Sequence, residues 1–191
     1  DFGIAYMKGM QDNAVLACAK HFPGHGDVSV DSHYDLPVIN KSFAQLDSLE
    51  LYPFKKIFEA GVGSVMIAHL YIPSIDTAKN RATSLSKKNI QALLRNQLNY
   101  QGLTFTDALE MQGVKKFFPN EEASVQYIIA GNDMLCLPGD IPLLGLWIAL
   151  ALRKPLIVRY GGSWVDNSQT TFMGQVTKAI MCRFAGGRNV M

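Results

Sequence analysis

Four short apolar runs, each ending in polar, glycine-rich or acidic residues and separated by segments of helical period, constrain the fold of this chain more than any other feature. Residues 14–19 (AVLACA) run into Lys20-His21-Phe22-Pro23-Gly24-His25-Gly26-Asp27, and residues 62–68 (VGSVMIA) into His69. Residues 102–106 (GLTFT) run into Asp107, and residues 133–137 (DMLCL) into Pro138-Gly139-Asp140. Between these runs, Ile90, Leu93, Leu94 and Leu98 follow Ser86 at i, i+3, i+4 and i+8, while Phe54, Ile57 and Phe58 follow Pro53, a residue suited to the first position of a helix. Strand–loop–helix units of this length pair their strands in parallel, which makes the chain α/β. In a (β/α)8 TIM barrel the chemistry sits at the C-terminal ends of the strands, where these His and Asp residues fall, but a whole barrel takes about 250 residues. The expectation is a partial (β/α)8 TIM barrel, with parallel strands alternating with helices.

With 191 residues and 48% hydrophobic content the chain can bury a real core. Its 18 Lys+Arg against 16 Asp+Glu, without a basic cluster interleaved with aromatics, give no nucleic-acid groove. The longest apolar run, residues 143–152, is well short of the ~20 residues of a membrane-spanning helix, so no transmembrane segment is expected. The opening DFGIAYMKGMQDN lacks the pattern of a signal peptide and reads as the middle of a domain. Cys18, Cys136 and Cys182 form no CxxC pair and leave the redox compartment open.

Three of the four histidines, His21, His25 and His33, crowd into one short stretch. There Gly24 and Gly26 permit tight turns and Pro23 restrains the backbone, so that the loop can fold over a pocket, with His25 and Asp27 shaping it. Asp31 and His33 project to the same side if the loop is extended, and the carboxylate can then orient the imidazole. A histidine, whose unperturbed pKa is about 6.5, can give a proton to a leaving group and later take one from water. A purely structural Asp–His pair stands beside that reading. Asp107 can act as a nucleophile, or as the N-cap of the next helix with Glu110 completing a capping box. Lys20 and His21 can donate to a ligand's hydroxyls or be paired internally. His69 either lines the pocket or caps its strand, and Asp133 and Asp140 suit turns or caps.

The segments KHFPGHGDVSVDSHYDLP, VMIAHLYIP, GLTFTDALEM and AGNDMLCLP, in this order and spacing, resemble glycoside hydrolase family 3 in its β-N-acetylglucosaminidase branch, with a texture closest to Bacteroidetes-type members. The resemblance covers residues 1–142. It implies a retaining glycosidase without cofactor or resident metal, acting on terminal β-linked N-acetylglucosamine in carbohydrate substrates such as muropeptides. It makes Asp107 the nucleophile, His33 the acid/base and Asp31 its partner, with Lys20 and His21 on sugar hydroxyls, and it favours the periplasm or cell envelope while leaving the cytoplasm open. Barrels of the family begin upstream of residue 1, so residues 1–142 correspond to the C-terminal part of the barrel. Residues 143–191 depart from the pattern and look faintly like a glycosyltransferase, which sets a domain boundary near 142. The competing readings are phosphorolysis at the same site, a metal-dependent hydrolase using His21, His25, His33 and Asp107 as ligands, and a sugar-binding fragment without activity.

Overall fold

The computed structural model describes residues 1–109 and 111–136. Glu110, the Pro138-Gly139-Asp140 segment and the whole of the 143–191 tail, with its boundary, lie outside the described residues.

Helix α1 (Phe2–Gln11) is followed by strand β1 (Cys18–Phe22), helices α2 (Phe43–Ser48) and α3 (Leu51–Glu59), and strand β2 (Ser64–Ile67). A 3-10 turn (Thr83–Leu85) and a π-helix (Lys88–Gln97) lead to strand β3 (Leu103–Ala108), then α4 (Gln112–Lys115), α5 (Asn120–Ala130) and strand β4 (Met134–Cys136). Among the described residues the three strand pairings are parallel, in the order β1-β2-β3-β4. Each strand lies beside its predecessor in sequence, the one-directional winding of a (β/α)8 barrel; a doubly wound sheet would reverse its order.

The four apolar runs all become strands, with shifted edges. Residues 14–17 are spent on reversing the chain after α1: the Val15 amide donates to Met10 O at 3.0 Å and Ala14 takes a φ of 59°. Pairing begins at Cys18, opposite Ser64, so Lys20 and His21 lie inside β1 instead of after it. Asp107 likewise belongs to β3. Helix α3 begins at Leu51, two residues before Pro53, whose missing N–H still falls in the first turn, where no intrahelical acceptor exists. The segment after Ser86 is helical and buries Ile90, Leu93 and Leu94 as its pattern requires, but it is wound in π register. The Leu98 amide donates to Leu93 O, five residues back, at 2.8 Å. The four-residue spacing of Ile90, Leu94 and Leu98 serves either winding, which is why the pattern did not separate them.

Phe22, Val65 and Ile67 pack with Phe54, Leu93, Leu94 and Tyr100 between the sheet and its helices. Phe22 meets Phe54 edge-on at 5.2 Å, and Phe58 stacks on Tyr100 at 4.3 Å. A second cluster, Ile39, Leu46, Ala68, Leu70 and Ile72, lies with the loops that follow β1 and β2. The lower ends of β3 and β4 are tied by Asp133, whose Oδ2 accepts from Arg95 at 2.7 Å, from the Thr104 amide at 2.8 Å and from the Thr104 hydroxyl at 2.9 Å. Asp133 thus has the structural role expected of it, though as a clamp between strands and not as a turn or cap.

Candidate active site

The C-terminal halves of β1 and β3 bring His21 and Asp107 together, with His21 Nε2 3.8 Å from Asp107 Oδ2. That gap is too long for a direct hydrogen bond, and both side chains remain partly exposed, so each keeps a polar atom for a ligand. Burial pushes the His21 imidazole below the usual histidine range, against the pull of Asp107 and helped by Lys20. Lys20 is exposed on β1, which removes the need for an internal carboxylate partner. The peptide bonds Lys20–His21 and Phe22–Pro23 are both cis. Asp107 is not a helix N-cap: α4 starts only at Gln112, after Met111, and Asp107 Oδ1 accepts from the neighbouring Ala108 amide at 2.8 Å.

From β1 the chain enters the histidine loop. The His25 ring lies 5.8 Å from that of His21, and its Nε2 is 3.2 Å from the hydroxyl of buried Ser32. Ser32 separates Asp31 from His33. Asp31 Oδ1 is 2.7 Å from His33 Nδ1 and accepts from the His33 backbone amide at 2.9 Å. The pair therefore meets as expected, but by another route. The Tyr34 and Asp35 amides fold back onto Asp31 O, making a side-chain-stabilised turn in place of an extended segment. The His33 amide and ring hold the Asp31 carboxyl below the usual carboxylate range. His33 and Asp31 are both well exposed, and among the described residues neither shares a hydrogen bond or ion pair with Asp107.

Two expectations are corrected. Gly24 does need to be glycine, since its φ is +136° and an added Cβ would lie 2.6 Å from Glu50 Cβ; Gly26 has ordinary φ and open space around it, so it imposes no such demand. His69 does not line the pocket. It is fully buried, with Nδ1 2.8 Å from the Ser84 hydroxyl and Nε2 3.0 Å from Ala108 O. Burial drives its pKa down to about 4, against the hydrogen bond to Ala108 and the charge of Asp107, so the ring is neutral, donating from Nε2 and accepting at Nδ1. It supports the end of β3 beside Asp107 from below. The Ala108 carbonyl, which can only accept, sets its tautomer, and the Ser84 hydroxyl, missed by the sequence reading, donates to the other nitrogen.

The loop is also tied to the segment after Asp107. The Gly113 amide donates to Ser32 O at 3.1 Å, and Lys116 Nζ donates to Asp35 Oδ2 at 2.8 Å. Among the described residues no three His, Cys, Asp or Glu side chains converge as metal ligands, and the polar partners of His25 and His33 are Ser32 and Asp31.

A strand-borne carboxylate beside a histidine-rich loop at one end of a parallel sheet is matched by the family model for the glycosyl hydrolase family 3 N terminal domain, over residues 1–144. The chain belongs to glycosyl hydrolase family 3. It is 37% identical to a beta-hexosaminidase A of Pseudoalteromonas piscicida over 71% of its length and 24% of the relative's. It is 31% identical to a beta-hexosaminidase of Nitrosomonas eutropha, covering 71% of this chain and 38% of that one. Both are proteobacterial, so the Bacteroidetes texture finds no support in them. Among solved structures, a family 3 beta-N-acetylglucosaminidase from Paenibacillus matches with a TM-score of 0.72 at 32% identity, over 91% of this chain and 39% of that one. A beta-glucoside phosphorylase matches with a TM-score of 0.71 at 29% identity, over 78% and 29%. This family 3 chain therefore spans between a quarter and two fifths of the length of the two curated relatives.

Proposed function

We propose that this chain carries the nucleophile and the acid/base of a retaining glycosidase that removes terminal β-linked N-acetylglucosamine, as from peptidoglycan fragments. The observation that carries the reading is the 2.7 Å Asp31–His33 pair, on a loop whose histidines lead back to Asp107. Relatives named beta-hexosaminidase and beta-N-acetylglucosaminidase support the substrate class.

In the first step an oxygen of Asp107 bonds to the anomeric carbon while the glycosidic C–O bond breaks and His33 passes its proton to the departing oxygen. In the second, the now neutral His33 takes a proton from water, the water oxygen bonds to the anomeric carbon, and Asp107 leaves as a carboxylate. Asp31 fixes the ring and stabilises its charged form before the first step and again after the second. Retaining enzymes hold the two groups about 5–5.5 Å apart at the reaction centre. An exposed loop residue reaches such a position by loop closure over the sugar. Lys20 and His21 grip the hydroxyls.

The test is turnover of a chromogenic β-N-acetylglucosaminide by the full-length protein. Asp107→Asn should abolish it, with a loss of about 10³-fold or more; an Asp107→Asn enzyme of ordinary activity excludes the nucleophile assignment. A neutral imidazole repels phosphate less than a carboxylate would, and one structural relative is a phosphorylase. Sugar 1-phosphate appearing only in phosphate buffer would replace hydrolysis with phosphorolysis at the same residues.

A further inference from the structure

Lys41 has been given no chemistry so far, yet it sits where the histidine loop is most in need of an anchor. Its Nζ pairs with Asp27 Oδ2 at 2.6 Å and with Glu50 Oε1. The three groups differ sharply in exposure: the Glu50 side chain is 6% exposed, that of Lys41 21% and that of Asp27 69%. Glu50 is thus a buried carboxylate whose other oxygen has no hydrogen-bond partner. Removing its cation would leave a buried charge unpaired, so Lys41 is bound firmly at that end. The stem of Glu50 also supports the Gly24 turn, where there is no room for a Cβ.

An exposed ion pair such as Lys41–Asp27 is normally worth little, because screening is strong and the long side chain must be ordered. Here Glu50 has already ordered it. Asp27 therefore ties the loop to a fixed point, four residues before Asp31. The far end of the loop has its own ties, Ser32 to Gly113 and Asp35 to Lys116. Between Gly24 and Val30 the polar side-chain ties among the described residues are His25 to Ser32, which is internal to the loop, and Asp27 to Lys41, which is not. The carboxylates of Asp27 and then Glu50 hold the Lys41 ammonium above the usual lysine range, so the tie persists throughout the neutral range.

We propose that Lys41, held by Glu50 and engaging Asp27, is a positioning residue that sets the acid/base loop carrying Asp31 and His33. The inference rests on the reading of His33 as the acid/base, and its test separates the two. Asp27→Asn and Lys41→Met in the full-length protein are compared with Lys41→Arg. Hydrogen exchange of the His33, Tyr34 and Asp35 amides, all bonded to Asp31, should quicken about tenfold in the first two and stay near wild type in Lys41→Arg. Rates are then measured on a 4-nitrophenyl and an alkyl β-N-acetylglucosaminide. Only the alkyl leaving group needs its proton in the transition state, so its kcat/KM should fall about tenfold further than that of the nitrophenyl substrate. Asp27→Asn leaves Glu50 paired and guards against misfolding. Unchanged exchange in Asp27→Asn overturns the anchor. Faster exchange with equal losses on both substrates makes Lys41 a structural residue only, and overturns the positioning role. A wild type that turns over neither glycoside counts against the proposed function, and exchange then decides the anchor alone.

Discussion

Replacing His69 with glutamine tests whether a neutral buried imidazole supports the strand that carries Asp107. In the native fold the ring donates to Ala108 O and accepts from Ser84, and burial lowers its pKa from 6.5 to about 4. The unfolded chain takes up a proton near pH 6.5; the folded chain resists until near pH 4. Between those values the unfolded state binds more protons, so His69 costs stability as the pH falls through the window and costs nothing above it. With the ring falling from 6.5 to about 4, the loss is roughly 3 kcal/mol once the pH is below 4, most of it already present at pH 4.5. A glutamine can repeat both hydrogen bonds through its amide but does not titrate. The variant should be less stable than wild type by about 1–3 kcal/mol at pH 7.5, from imperfect packing. That deficit should shrink or reverse by roughly 2–3 kcal/mol at pH 4.5. Urea unfolding of both proteins at several pH values measures the difference, in which the lowered carboxyls of Asp31 and Asp35 are common to both and cancel. Parallel stability curves across the window would refute the neutral, buried assignment.

Gly113→Ala places a Cβ 3.1 Å from the carbonyl oxygens of Ser32 and Asp35, both backbone atoms, so the histidine loop must give way. A loss of about 1–3 kcal/mol in urea unfolding is expected, with slower turnover of poor leaving groups; wild-type values in both would show that the loop adapts freely. Asp133→Ala strips the acceptor from Arg95 and from the Thr104 amide and should cost about 2–3 kcal/mol, seen as a lower melting temperature. Gly102→Ala drives a Cβ against the Tyr100 hydroxyl and to 2.7 Å from Gly63 O, so a melting temperature within a degree or so of wild type would contradict the packing of β2 on β3.

The strand-by-strand order of the sheet was open to a reader of the sequence because each strand carries a continuous apolar run and each crossover a helical period, two signals that local chemistry fixes. The edges were not, because they depend on pairing partners: Cys18 becomes a strand residue by lying opposite Ser64, and Val15 and Leu16 do not, despite being the more apolar. The π winding of residues 88–97 is a property of hydrogen-bond register, to which side-chain spacing is nearly blind. Lys41 and Glu50 were likewise out of reach. Nothing in their local sequence marks a buried ion pair, and the two meet only because α2 turns the chain back so that the start of α3 lies beneath the Gly24 turn.

The residues singled out for chemistry sort themselves by how each is held. Asp107 sits in a strand with neighbours on both sides, and its surroundings are rigid: β2 lies alongside and His69 fixes the next carbonyl. Asp31 and His33 sit on an exposed turn fixed by the turn's own hydrogen bonds and by ties at its two ends. A nucleophile must be aligned with one carbon, which favours the strand. A group that gives a proton to a leaving oxygen and later takes one from an incoming water serves two partners in turn, which favours a loop that can shift slightly between them. On this argument, tightening the loop should not improve catalysis. A disulfide or proline that immobilises residues 27–33 without disturbing the Asp31–His33 contact should slow whichever step needs the second position. On the proposed mechanism a lock that slows the hydrolytic step leaves the glycosyl-enzyme on Asp107 to accumulate as a burst in pre-steady-state assays, one that slows its formation removes the burst, and a rigidified loop that raised kcat would contradict the argument.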